Sequence, residues 1–459
     1  MAYVALAGFG LLVLSLLIPT WRRILLFHAH AAKYVLLWLL EVGRVRPLWL
    51  RLRGRPHVAL DLPLILRLFC EDMGPTFIKF GQLVASSAGM FPDRYVQEFQ
   101  KCLDRVRPFA FSEVERILGE DLGEVGMRNL ASIDATPLAS ASIAQVHAAR
   151  LRDGSDVVIK VQRPGIAALV EADMRILHRV AWLTQRLVRN AELANPVGIV
   201  EDFATTLSEE LDFQREAQNL RRFNEIMAEH GQAHVRAPVP NMAFTSRRVL
   251  VMERFSGVRV DRVDEIRARG VDGEAALVTG LRSWLQCLVL HGFFHGDVHA
   301  GNLMLLDDGD IGFLDFGIIG RFTDKQRWLV TDYMLSFSLG DYRKLAQVTV
   351  DMGGVAENLD MEAFAADLAA VYAPMRERAF GDVNYAELLP GIQKVSTRHR
   401  MRMPREFVLI LKQYLYFDRY AKLLAPRLNV FTDPRLILGL VGDIQKARAG
   451  QSVAAQAAA

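Results

Sequence analysis

His295-Gly296-Asp297-Val298-His299-Ala300-Gly301-Asn302 stands past the middle of the chain, and Asp315-Phe316-Gly317 begins thirteen residues after Asn302. An Asp, an Asn five residues later, a short hairpin and then Asp-Phe-Gly is the layout of a phosphoryl-transfer site. In that layout Asp297 orients or deprotonates an acceptor. Asn302 and Asp315 are hard oxygen donors suited to Mg²⁺, which takes one or two protein ligands plus phosphate oxygens. Two short apolar runs flank Asp307-Asp308-Gly309-Asp310 and read as the two arms of the hairpin. That acidic turn lacks the alternating ligand spacing and terminal Glu of a calcium loop, so turn chemistry accounts for it. His295 reads as structural. His299 occupies the place, two residues after the Asp, where many protein kinases carry Lys.

Working outward, such a site needs a phosphate-contacting Lys at the end of a strand. Lys160 in Val157-Val158-Ile159-Lys160 fits. Residues 143–151 and 157–161 are apolar, β-branched runs around Arg152-Asp153-Gly154-Ser155-Asp156, a strong hairpin signal. Helix is expected from about 165 to 189 and again from 196 to 228. The second segment contains Glu209-Glu210-Leu211-Asp212-Phe213-Gln214-Arg215-Glu216, which supplies acids to pair with Lys160; Glu216 is one candidate. Asp212 and Glu216 are four apart, hence on one helical face. Residues 247–253 read as a strand, and by order alone Met252, Glu253 and Phe255 stand where a hinge would meet adenine.

At 459 residues the chain exceeds one ordinary core, so about two to three structural units are expected. The net charge of +3 gives no argument for a nucleic-acid partner. Cys70, Cys102 and Cys287 are far apart in sequence, which indicates neither a CxxC metal site nor a disulfide framework. The mean hydropathy is slightly positive, and the excess sits at the N-terminus. Residues 3–19 are uncharged and almost wholly apolar, near the lower limit for spanning a bilayer. Trp21-Arg22-Arg23 follows, which places that flank in the cytoplasm. Residues 22–55 hold eight Lys or Arg and one acid, Glu41, interleaved with Leu, Phe, Tyr and Trp. This reads as a basic amphipathic helix against anionic lipid headgroups, with packing on the main domain as the alternative.

Residues 62–88 read as two helices divided at Gly74-Pro75, since the residue before proline avoids the helical region. A helix is expected over 95–103. After Gly317 the chain runs through Ile318-Ile319-Gly320-Arg321-Phe322 directly into the capping box Thr323-Asp324-Lys325-Gln326. There is no Ala-Pro-Glu motif and no room for the long segment with which protein kinases hold a peptide. From Thr323 onward the chain reads helical, ending in a small, polar tail at 452–459 expected to fray.

Four features together resemble the UbiB/ABC1/AarF family of atypical kinases, over about residues 63–429. Lys79-Phe80-Gly81-Gln82 is similar to its KxGQ motif. Pro137-Leu138-Ala139-Ser140-Ala141-Ser142-Ile143-Ala144-Gln145-Val146-His147 resembles the alanine-rich loop that replaces a glycine-rich nucleotide loop. Glu210-Leu211-Asp212 matches its ExD motif, with Glu216 at the ion-pair position. His295 to Asn302 and Asp315-Phe316-Gly317 match its catalytic and metal motifs. The resemblance implies ATP and Mg²⁺ as cofactors, with nucleotide contacts from Ala139, Ser140, Ala141, Ser142, Ile143, Lys160, Met252, Glu253 and Phe255. It implies that Lys79, Gly81 and Gln82, near Glu210 and Asp212, restrain the cleft and cover the place where peptide would dock. A loop without glycine has a stiffer backbone, consistent with altered nucleotide preference.

The expected architecture is an α+β, two-lobed protein-kinase-like fold with a helical N-terminal extension and a hydrophobic N-terminal anchor. The boundaries are an anchor at 1–21, a basic segment at 22–58, the KxGQ extension at 59–130, an N-lobe at 131–255, a C-lobe at 256–440 and a tail at 441–459. The expected function is membrane-associated ATPase or kinase-like chemistry in isoprenoid-quinone biosynthesis or lipid handling. Expected partners are membrane lipids, quinone-biosynthesis proteins or prenylated quinone precursors, at the inner face of the cytoplasmic membrane. A small-molecule kinase in the aminoglycoside or choline kinase style, and an ATP-gated scaffold without turnover, stand as alternatives. A protein kinase is disfavoured by the missing peptide-holding segment. Family members in ubiquinone synthesis usually carry C-terminal hydrophobic spans, whereas here the apolar segment is N-terminal.

Overall fold

The computed structural model describes residues 19–57, 59–86, 91–102, 107–188, 195–352, 359–377, 391–392, 394–395, 397–399, 405–429 and 433–458. Most of the expected anchor at 1–21 lies outside them. The chain divides into two compact units. The first holds the described residues up to Gly154, together with Val158–Asp212 and Ser246–Val249. The second holds Ser155–Val157, Phe213–Thr245 and Leu250 onward.

The first unit opens with helices α1 (Pro19–Val42) and α2 (Val45–Leu52). A helical pair follows, α3 (Leu62–Met73) and α4 (Pro75–Ser86), divided at Gly74-Pro75 as expected. Asp61 caps α3 by accepting the Leu64 amide. The helix expected at 95–103 is α5 (Asp93–Phe99), and α6 (Phe111–Asn129) leads into the sheet. α1 is docked by its polar face. The Arg23 guanidinium reaches the fully buried Asp173 at 2.5 and 2.9 Å, and Lys33 meets Asp72 at 2.6 Å. Phe27 packs edge-on against Phe69, and Tyr34 is buried. On its other face Trp21, Leu25, Leu36 and Leu39 are exposed. The packing alternative for this segment therefore holds on one side of the helix, and the other side is exposed.

Strands β1 (Leu130–Ile133), β2 (Ala139–Ser140), β3 (Ala144–Leu151) and β4 (Asp156–Gln162) follow. β3 and β4 flank Gly154, whose φ of +93° the turn requires. Helices α7 (Ile166–Leu187) and α8 (Pro196–Glu210) complete the unit. The sheet order is β1-β3-β4-β6, with β2 on β3 and β6 at Val249–Glu253.

The helix expected at 196–228 is two helices, α8 and α9 (Phe213–Glu229), broken at Leu211 and Asp212. The Gln162 side chain donates to the Leu211 carbonyl at 2.7 Å and supplies the partner that a continuing helix would have provided. Asp212 therefore stands in a turn, and its four-residue spacing from Glu216 does not put the two on one helical face.

In the second unit, β5 (Val235–Arg236), β7 (Gly257–Arg259), β9 (Leu303–Leu306) and β10 (Ile311–Phe313) form a sheet ordered β5-β10-β9-β7. β8 (Phe293–His295) pairs antiparallel with β11 (Ile319–Arg321). The helices are α10 (Val263–Ala268), α11 (Gly273–Gln286), α12 (Asp324–Leu339), α13 (Tyr342–Asp351), α14 (Met361–Glu377), α15 (Arg405–Leu424) and α16 (Pro434–Ala458). The capping box at Thr323 and Gln326 is present. α16 continues through the residues expected to fray, where its alanines are the best intrinsic helix formers.

Candidate functional site

The hairpin expected between Asn302 and Asp315 forms, with Leu303 opposite Phe313, Met304 opposite Gly312 and Leu305 opposite Ile311. The ladder extends one step toward the site: the Leu314 amide donates to the Asn302 carbonyl at 2.8 Å. That register sets Asn302 beside the residue preceding Asp315. Past Gly317 the chain doubles back as β11, and Ile319 pairs with His295. The Gly296 amide donates to the Ile318 carbonyl at 2.9 Å. The two motifs are thus held together by backbone pairing on both sides.

Within the loop, Asn302 Nδ2 donates to the Asp297 carbonyl at 2.9 Å. Its Oδ1 remains as the acceptor suited to a hard cation. Asp315 sits at φ +56°, a left-handed conformation that costs a non-glycine residue of order 1 kcal/mol or more and concentrates at functional sites. His299 caps the 3₁₀ turn Ala300–Asn302 by accepting the Gly301 amide at 3.0 Å, and its other ring nitrogen lies 3.7 Å from Asp297 Oδ2.

His295 has the structural role expected of it. Its ring accepts the Asp297 amide at Nδ1 (3.1 Å) and donates from Nε2 to the Leu314 carbonyl (2.8 Å), which fixes one neutral tautomer. Full burial lowers its pKa and keeps it neutral. It also stacks edge-on against Phe316, which packs in turn on Phe223 of α9.

Several supporting residues were not evident from the sequence. Gln413 of α15 is fully buried and brackets the loop. It donates to the Gly296 carbonyl at 2.6 Å and accepts the Val298 amide at 3.0 Å. Tyr420 donates to the Val298 carbonyl and Trp284 Nε1 to the His295 carbonyl, each at 3.0 Å. Asn219 donates to the Phe316 carbonyl at 2.9 Å and accepts from Arg321 at 2.6 Å.

In the first unit Lys79 lies on α4 and meets Glu210 of α8 at 2.9 Å. The expected nearness of the KxGQ and ExD motifs therefore holds for these two residues. Phe80 packs edge-on against Phe203. A Cβ on Gly81 would come within 2.7 Å of the Phe99 ring, so this position takes glycine to let α4 and α5 approach. Gln82 follows on the same helix.

The alanine-rich loop joins β2 to β3. Ala139 and Ser140 form β2, and the Ala141 amide closes a turn on Ala144 at 2.9 Å. Arg163 clamps it: its Nη2 donates to the Ala141 carbonyl at 3.1 Å and approaches Ser140 Oγ at 3.4 Å, while its amide donates to the Ile143 carbonyl at 2.8 Å. Ser142 is fully buried, and its hydroxyl has no hydrogen-bond partner. A buried hydroxyl without a partner is uncommon in a folded protein and marks this turn for attention.

Lys160 lies on β4 in the first unit, and Glu216, 2% exposed, on α9 in the second. Met252 and Glu253 end β6, and Phe255 follows, its ring beneath the Arg236 guanidinium at 4.7 Å.

A hairpin joining Asn302 to an Asp-Phe-Gly segment, beside a bracketed Asp297, defines the protein-kinase-like class. A Mycobacterium tuberculosis protein solved in complex with erythromycin matches this fold at a TM-score of 0.51 and 24% identity, over 77% of this chain and 92% of its own. Family models for an ABC1 atypical kinase-like domain match residues 101–349, and for a UbiB helical domain residues 368–429. An uncharacterized chloroplastic aarF domain-containing protein kinase of Arabidopsis thaliana is 39% identical over 87% of this chain and 78% of its own length. A probable protein kinase UbiB of Cellvibrio japonicus is 33% identical, over 80% and 67% respectively. The chain belongs to the UbiB/ABC1 family of atypical kinases.

Proposed function

We propose that this protein is a Mg²⁺-dependent ATPase or kinase-like enzyme working at a membrane surface on behalf of isoprenoid-quinone biosynthesis or lipid handling. The observation that carries the chemistry is the hairpin register joining Asn302 to Asp315, with Asn302 Nδ2 tied to the Asp297 carbonyl. Asn302 Oδ1 and the Asp315 carboxylate would hold Mg²⁺, which supplies charge neutralisation on the phosphates. Asp297 accepts the proton of the attacking hydroxyl or water.

The membrane reading rests on α1, whose 22-residue stretch Trp21–Val42 is long and apolar enough to span yet is docked through Arg23 and Lys33. Those ion pairs favour a helix lying along the bilayer surface, its exposed Trp and Leu side chains toward the acyl boundary. Residues 3–19 would supply a span. Membrane lipids and prenylated quinone precursors are the proposed partners, and the UbiB name of the relatives supports the quinone pathway.

The test is Mg²⁺-dependent ATP hydrolysis by the full chain with and without anionic liposomes. Turnover that liposomes stimulate and that Asp315→Asn abolishes is expected. Turnover unchanged in Asp315→Asn would overturn the assignment. Tight nucleotide binding without turnover would move the protein to the ATP-gated scaffold.

A further inference from the structure

Away from the catalytic loop, two imidazoles and a carboxylate converge in the second unit. α9 ends at Glu229, and His230 and Gly231 close its last turn, Gly231 at φ +63°. α11 is followed by a π-helical turn, Cys287–His291. Such turns are rare and concentrate at functional sites. The guanidinium of Arg327, 4% exposed, donates to the Val289 and Leu290 carbonyls of this turn at 3.3 and 3.0 Å. The turn is therefore built into the fold, and it delivers His291 to the end of α9. His230 Nε2 and His291 Nε2 lie 2.8 Å apart, and Glu229 Oε2 is 3.8 Å from His291 Nε2. One ligand atom from each residue lies within 4.8 Å of the others.

We infer that Glu229, His230 and His291 form a binding site for a borderline divalent transition-metal ion of the Zn²⁺ class, tying the end of α9 to the turn that leads into the catalytic loop. Two imidazole nitrogens and one carboxylate oxygen, with a fourth position for water, suit tetrahedral Zn²⁺ or Co²⁺. Mg²⁺ prefers an all-oxygen shell, so this set discriminates against it. Bonds of about 2.05 Å place two tetrahedral ligands roughly 3.3 Å apart. The two nitrogens must part, and the carboxylate close in, by about half an ångström each from that geometry.

Arg222 faces the same cluster. Its Nη1 holds Glu229 Oε1 at 3.0 Å, the oxygen not offered to the metal, and its Nη2 lies 3.4 Å from His291 Nδ1. On metal binding His291 Nδ1 carries the proton, so Arg222 gives up that contact and keeps the carboxylate, orienting it. The consequence for the fold lies in α9, which also holds the Asp-Phe-Gly segment through Asn219.

The test is Co²⁺ titration of the full-length protein, metal-stripped and free of nucleotide, read by visible absorption, with Zn²⁺ competition and melting temperature alongside. The expected result is one equivalent of tetrahedral Co²⁺, displaced by Zn²⁺ and not by Mg²⁺, with a raised melting temperature. His230→Gln is the decisive variant, because this half-exposed side chain sits at a helix end and its loss leaves the fold intact. It should weaken Co²⁺ binding on the order of 100-fold or more, and His291→Asn should do the same. Glu229→Gln should weaken it less. Wild-type protein that takes up no Co²⁺ overturns the inference. So does a tetrahedral spectrum that persists unchanged in His230→Gln, which would place the metal elsewhere.

Discussion

The catalytic loop and the KxGQ helix are held by different physics. Around Asp297 the backbone is gripped by neutral donors and acceptors that are buried and paired: Gln413, Tyr420, Trp284 and the fixed tautomer of His295. Lys79 is joined to Glu210 by an ion pair at 2.9 Å, with the lysine 22% exposed. Buried neutral networks hold one geometry and cost several kcal/mol to disturb. A largely buried ion pair at the edge of the fold contributes an amount between those of exposed and fully buried pairs. The first arrangement suits a geometry that must not vary, the second a contact that has to open.

The sharpest way to break this comparison is at the loop's own chemistry. Asp297→Asn keeps the fold and every backbone contact, and ATP turnover is expected to fall about 10³-fold, the usual worth of a positioned acid–base group. Steady-state hydrolysis at saturating Mg-ATP measures it. A fall under tenfold would mean that the gripped geometry serves binding rather than turnover.

The next effect is on the grip itself. Gln413→Leu removes both bonds to the loop and strands the Gly296 carbonyl and Val298 amide in a dry interior. About 3 kcal/mol of stability is expected to be lost, read as a lower denaturant midpoint at unchanged slope, with turnover falling too. A midpoint shift without any loss of turnover would show that the loop holds its shape unaided.

A smaller effect comes from His291, at the start of the segment that leads into the loop. Its folded pKa of about 4 lies below the ordinary value of 6.5. The unfolded chain therefore binds the extra proton between those values, and stability falls as pH drops through that window. The neighbouring charges are Glu229, which favours the proton, and Arg222, Arg327 and His230, which oppose it. In metal-free protein, going from pH 7 to 5 should cost about 2 kcal/mol through this group. His291→Asn should remove that part of the slope, seen in denaturant midpoints at the two pH values.

Both regions were legible in the sequence to different depths. The Asp297–Asn302 spacing, the hairpin turn and the Thr323 capping box are local, so they could be read directly. The brackets on the loop were not, because Gln413 and Trp284 come from helices whose apolar periodicity says only that they are buried. The break at Leu211 and Asp212 was hidden for a related reason. The apolar spacing runs through it, and what ends the helix is the Gln162 side chain, 49 residues earlier. Nor could any local pattern show that His230 meets His291 across 61 residues.

The smallest expected energy, and the most informative variant, is at Lys79. Lys79→Met leaves Glu210, 8% exposed, without its cation, and a cost of about 1 kcal/mol is expected, between the values of exposed and fully buried pairs. If the pair is only a strut, Lys79→Met combined with Glu210→Gln recovers that energy and neither variant touches nucleotide binding. If it restrains the nucleotide site, both single variants shift nucleotide affinity or autophosphorylation, and the double variant stays shifted although its stability returns. Calorimetric nucleotide titrations on the four proteins of this cycle separate the two outcomes, because stability and affinity then move independently. A contact worth so little to the fold, yet moving affinity, would be a restraint built to open.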